Sequence, residues 1–216
     1  MVEIFFKNTN LIQLLVFLTF GIAVFCLNLK QISHKFLLAI LTCSFFNEFM
    51  TFLCIISKVD YSLLYSISAI VHNGLWLILL YSLTTVSKLF EYLIVMYFCF
   101  AVMNLFMFEG LDQFNNFTFV TGAFLYLIFF IIISFRQLKI ENFTFFYSNN
   151  YLLLFAPVFF FLGLSFYFGF RNSDLGDIEI IGDMSLYKVI IYFVNIIYYG
   201  SLILFILLEN KIKHAK

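Results

Sequence analysis

Glu48 sits in the middle of Phe36 to Ser57, a stretch that is otherwise apolar or weakly polar and long enough to cross a bilayer. His72 sits at the matching depth of the next such stretch. The two positions are mirror images about Asp60 in the short connection Lys58-Val59-Asp60-Tyr61, so an antiparallel helix pair would carry both side chains to one level. An ionisable residue in hydrocarbon costs at least ~2.5–3.5 kcal/mol on insertion scales, which makes each one a functional-site hypothesis. Asn195 in the last apolar stretch falls about 14 Å below the same boundary at 1.5 Å per helical residue. Tyr97 and Tyr126 lie near that level, and Asn73 adjoins His72. The expectation is one mid-membrane polar layer, Glu48, His72, Asn195, Asn73, Tyr97 and Tyr126, with Glu48 touching His72 directly or through one water.

Two chemistries fit such a layer. It can be hydrogen-bond glue between helices, a contribution averaging only ~0.6 kcal/mol where it has been dissected in a membrane protein. It can instead be a proton-responsive or ligand-binding site, in which a carboxyl and an imidazole in contact titrate as a pair. Asn or Gln glues helices without the risk of a buried charge, so the choice of Glu and His favours the second. Helical spacing adds Ser44 and Thr51 to the Glu48 face and Tyr65, Ser68 and Trp76 to the His72 face. These faces should point into the bundle, because lipid offers a polar group no partner.

Composition sets the elements that must carry these residues. With 64% hydrophobic and 11% charged residues and a mean hydropathy of +1.05, the chain departs far from the roughly 45–50% apolar and ~25% charged of soluble domains. It reads as an all-α polytopic transmembrane bundle, residues 1–216 forming a single domain, with the lipid bilayer as its first partner. Its formal net charge of zero leaves no basic surface of the kind nucleic-acid binding needs. A helix needs about 20 mostly apolar residues to cross a bilayer core. Seven stretches qualify: Asn10 to Leu29, Phe36 to Ser57, Ser62 to Leu83, Leu89 to Phe108, Phe117 to Phe135, Tyr151 to Phe170 and Leu186 to Leu208. Most connections are short, which predicts antiparallel neighbours.

Lys and Arg set the orientation. Lys30, Lys35, Lys88, Arg136, Lys139, Lys211, Lys213 and Lys216 fall on one side, and Lys7, Lys58, Arg171 and Lys188 on the other. The positive-inside rule then predicts an outer N-terminus and a cytoplasmic C-terminus. The longest loop, Arg171 to Ser185, belongs to the outer face and carries four acids. They lack the register of a calcium loop, so a solvated connector is expected. On the cytoplasmic side, Asn142 to Asn150 alternates Phe and Tyr with polar residues and could lie in the membrane interface.

Several membrane chemistries lack their residues. A retinal protein needs a Schiff-base lysine where this chain has Asn195. A six-coordinate haem usually wants two axial ligands, and His72 is the one histidine embedded in a span. A zinc hydrolase normally has three protein ligands, and only Glu48 and His72 are placed to serve. No G-x-S-x-G or H-E-x-x-H occurs. No enzyme activity, cofactor or metal is expected. Cys26, Cys43, Cys54 and Cys99 all fall in apolar stretches without ligand spacing, and they read as buried small hydrophobes.

The acidic second span, Leu64-Tyr65-Ser66-Ile67 at the opening of the third and Val194-Asn195-Ile196-Ile197-Tyr198 in the last resemble small seven-helix inner-membrane proteins of Bacteroidota-like bacteria. That resemblance implies a multi-pass protein of a bacterial inner membrane and nothing about chemistry. The functional expectation is a sensor or signal relay acting through the polar layer on another membrane or cytoplasmic protein. Transport of protons or a small solute is the alternative of a different class. A structural or assembly subunit of a membrane complex is the third.

Overall fold

The computed structural model describes residues 10–84, 88–169, 178–181 and 184–214. They form α1 (Leu11–Cys26), α2 (Ile32–Ser57), α3 (Ser62–Leu83), α4 (Lys88–Met103), α5 (Asn116–Lys139), the one-turn α6 (Phe143–Phe146), α7 (Asn149–Gly169) and α8 (Leu186–His214). A π-helical turn, Asn104–Phe108, extends α4. Among the described residues, six helices are long and apolar enough to cross a membrane: α2, α3, α4 with its π turn, α5, α7 and α8. The chain is therefore an all-α, multi-pass membrane protein. The expected first span is shorter than predicted. Its helix of 16 residues is about 24 Å long at 1.5 Å per residue, less than the ~30 Å hydrocarbon core.

The start of α1 is fixed by its own side chains. Asn10 Oδ1 accepts the Gln13 N–H at 2.9 Å, and Gln13 Oε1 accepts the Asn10 N–H at 3.1 Å. This reciprocal capping box satisfies two donors that a helix start otherwise leaves orphaned. At the C-terminus of the next helix, α2 stops at Lys58, which adopts φ 55 and ψ 36 and so reverses the chain in the left-handed region.

Packing orders the helices as a ring in which α1 contacts α2, α2 contacts α3, α3 contacts α5, α5 contacts α7, α7 contacts α8 and α8 returns to α1. Helix α4 lies outside, against α3 and α5. Close approach is built with small residues, as expected where no hydrophobic effect drives helices together in lipid. A Cβ at Gly122 of α5 would stand 2.5 Å from Asn73 Nδ2 and 2.8 Å from a Tyr97 ring carbon, and one at Gly163 of α7 would collide with Val194 of α8.

Of the acidic loop from Arg171 to Ser185, residues 171–177, 182 and 183 lie outside the described residues. Glu179–Ile181 (β1) pairs antiparallel with Met184–Ser185 (β2) just before α8. In the Asn142 to Asn150 segment, the ring of Phe145 packs on Phe146 and Tyr151, while Phe143 and Tyr147 are exposed.

Candidate functional site

Glu48 lies on α2, half-buried. Gln13 of α1 and Tyr65 of α3 face its carboxyl. Thr51, one turn further along α2, faces the Tyr65 hydroxyl. Tyr199 of α8 adds a fourth helix, facing Ser44 and lying within electrostatic reach of Glu48. The capping box decides how Gln13 presents itself. Its Oε1 is held by the Asn10 N–H, so the NH2 end is what remains to donate toward Glu48. The carboxyl is thus surrounded by an amide and hydroxyls, and no Lys, Arg or His pairs with it among the described residues.

His72 belongs to a different cluster. The buried Trp76 Nε1–H donates to the Tyr198 hydroxyl oxygen at 3.0 Å, and that hydroxyl lies 3.2 Å from His72 Nε2. Because the oxygen accepts from Trp76, its one hydrogen is free to be donated to a neutral imidazole. Trp76, Tyr198 and His72 thus form one hydrogen-bonded chain, with the direction of its Tyr198–His72 link set by the tautomer of His72. Phe160 and Phe161 of α7 close the site, their ring centroids 5.7 and 6.2 Å from that of His72.

The expected contact between Glu48 and His72 does not form: no hydrogen bond or ion pair joins them. The register of α2 against α3 is the reason. Cys43 Sγ lies 3.6 Å from Ser68 Oγ and Glu48 faces Tyr65, so α2 overshoots the start of α3, and the connection after Lys58 runs back along the pair rather than straight across. His72 is two turns beyond Tyr65, about 10 Å further along α3. Mirror symmetry about Asp60 assumed a flat turn.

The remaining members of the expected layer separate too. Asn73 Nδ2 donates to the Phe119 carbonyl of α5 at 3.1 Å, with Tyr97 of α4 beside it. Tyr126 donates to the Leu154 carbonyl of α7 at 2.7 Å. Pro157 in α7 has no N–H, so the carbonyl four residues before it, that of Leu153, lacks its helical donor. Asn195 bonds back to the Ile191 carbonyl of its own helix at 2.8 Å, so it joins neither Glu48 nor His72. These bonds tie neighbouring helices or satisfy one, while Asn73 Oδ1 and the Tyr97 hydroxyl are buried without a hydrogen-bond partner among the described residues.

Two further polar sites escaped the sequence. His34, 2% exposed, holds Nε2 3.4 Å from Glu209 Oε2, and Glu209 Oε1 accepts from Asn149 Nδ2 at 2.8 Å. The pair joins α2, α7 and α8 near the Lys-rich end. It was hidden because both residues fall just outside the apolar stretches, in regions read as loops, while α2 begins earlier and α8 ends later than hydropathy alone suggests. The signal was an isolated histidine and an isolated acid, each on the buried stripe of an extended helix. Likewise Glu109 accepts from the Phe117 N–H at 3.1 Å and from Asn104 Nδ2, placing a carboxylate at the favourable N-terminal end of α5.

Among the described residues no three His, Cys, Asp or Glu side chains converge as metal ligands. No protein-family model, no curated protein and no solved structure matches the chain.

Proposed function

We propose that this chain is a seven-helix sensor or signal relay of a bacterial inner membrane, with its N-terminus outside and its C-terminus in the cytoplasm, in which Glu48 is the responsive group. One observation carries the reading: the Glu48 carboxyl is faced from two other helices by Gln13 and Tyr65, with Tyr199 of a third within electrostatic reach and no cation among the described residues to fix its charge. Charging or neutralising a carboxyl in such surroundings changes which of these groups can donate to it and which must accept. The packing of α1 against its neighbours then changes with it.

The same two helices reach the cytoplasmic end. Helix α2 carries both Glu48 and His34, and α8 carries both Tyr199 and Glu209. A shift of α8 against α2 at the first site is therefore felt at the His34–Glu209 pair, where a membrane or cytoplasmic partner could read it. Transport is the less favoured reading, because Leu37, Ile40 and Leu41 on α2 and Leu202, Phe205 and Ile206 on α8 are all fully buried between the two sites. That apolar plug fits a relay better than a conducting path.

Hydrogen exchange of the first turn of α1 and of the Tyr65 turn, followed across pH in detergent, tests the proposal. Protection should depend on pH in the wild type and lose that dependence in Glu48→Gln. A pH response that is unchanged by Glu48→Gln would assign it elsewhere and remove the proposed role.

A further inference from the structure

Between α2 and α3, on the outer surface of the bundle, runs an open groove of about 790 Å³. Leu29 and Lys35 line one end, Ala39 the middle and Phe46 the other end, with Val71 and Leu75 of α3 forming the opposite wall. From Lys35 to Phe46 the groove follows α2 for about 16 Å at 1.5 Å per residue. That is close to half of a ~30 Å hydrocarbon core, the depth of one leaflet.

The two ends differ in chemistry. Along the wall, the polar groups are already satisfied: Thr42 Oγ1 donates to the Leu38 carbonyl at 2.7 Å, and Cys43 Sγ is turned to Ser68. The body of the groove offers an occupant only apolar contact. At the mouth, Lys35 is exposed and Lys30 adjoins Leu29, and neither lysine has an acidic partner among the described residues. Two acids of that end are engaged elsewhere, Glu209 with His34 and Glu91 with the Tyr81 hydroxyl.

We infer that this groove is a binding site for one anionic phospholipid of the leaflet on the Lys35 side, its acyl chain lying between α2 and α3 and its phosphate at Lys35. A slot of leaflet depth, apolar along its length and cationic at the headgroup level, matches that amphiphile in both length and charge. A second copy of the chain fits less well. A two-fold axis along the membrane normal brings equivalent residues to the same depth, so it would set a second uncompensated Lys35 beside the first.

Native mass spectrometry of the full chain, released from micelles holding equal phosphatidylglycerol and phosphatidylcholine with identical acyl chains, tests the site. The wild type should retain phosphatidylglycerol about fivefold over phosphatidylcholine, the preference expected of one lysine at a charged interface. Lys35→Gln should bring that ratio close to one, and Lys35→Arg should keep it. Ala39→Trp fills the groove from an exposed position and should lower retention of both lipids; Val71→Trp, also exposed, does the same from the other helix. Equal retention of the two lipids by the wild type would overturn the inference. So would a preference that survives Lys35→Gln, retention that survives both tryptophans, or a lipid-free dimer that the tryptophans dissociate.

Discussion

At the scale of single residues, the polar groups inside the bundle divide by what they touch. Tyr198 is held on both sides, by Trp76 at 3.0 Å and His72 at 3.2 Å. Removing its hydroxyl leaves a buried indole N–H and a buried imidazole nitrogen without a partner. Tyr198→Phe should therefore destabilise the protein by about 1–3 kcal/mol, the cost of stranding buried polar groups, measured by reversible unfolding in mixed micelles. Glu48→Gln, of equal size and flanked by groups that can donate or accept, should change stability by less than about 1 kcal/mol in the same assay. Similar losses for the two variants would mean that Glu48 is bonded as firmly as Tyr198. Sequence alone could find both residues, because a polar side chain in a hydrophobic span is conspicuous. It could not tell a closed chain of hydrogen bonds from an open cluster, since partner identity depends on rotation and register of helices distant in sequence: Tyr198 and His72 are brought together by a fold, not by a motif.

At the scale of elements, register decides which polar residues meet. Spacing within each helix put Thr51 on the Glu48 side and Trp76 with His72, but Tyr65 and Ser68, expected with His72, turn instead to Glu48 and Cys43 of α2. Spacing between helices failed, because a four-residue connection that begins with a left-handed Lys58 can run along the pair as readily as across it. In a background lacking Cys26, Cys54 and Cys99, Ser68→Cys should cross-link to the native Cys43 under mild oxidation, whereas Glu48→Cys with His72→Cys should not. Mass spectrometry of the joined peptides reads the outcome, and a cross-link between positions 48 and 72 would restore the symmetric register. Gly122 tests another contact between elements. A side chain there meets Asn73 and Tyr97, and overpacking of this kind costs about 1–3 kcal/mol. Gly122→Val should lower the unfolding midpoint, and a variant as stable as the wild type would show that α3, α4 and α5 are not so closely joined.

At the scale of the whole molecule, hydropathy located the helices to within a few residues, because crossing a bilayer demands length and apolarity together. What it left out were the ends: α2 starts ahead of its apolar run and α8 continues past its own, and His34 and Glu209 meet in those extensions. The orientation rests on the asymmetry of Lys and Arg. Reporter fusions after Lys216 should be active only on the cytoplasmic side, and fusions in the loop before α8 only on the outer side; the reverse pattern would invert the account, including which end of α2 faces the cell interior. The central claim is that charge at Glu48 of α2 sets how α1 and α3 are held on either side of it. Spin labels at the exposed Leu14 of α1 and Leu63 of α3, in a background free of native cysteines, report that packing as a distance. Across the pH range in which carboxyl and imidazole groups change charge, the distance should shift in the wild-type sequence and stay fixed in Glu48→Gln; a distance that never shifts, or that shifts equally in both, would contradict it.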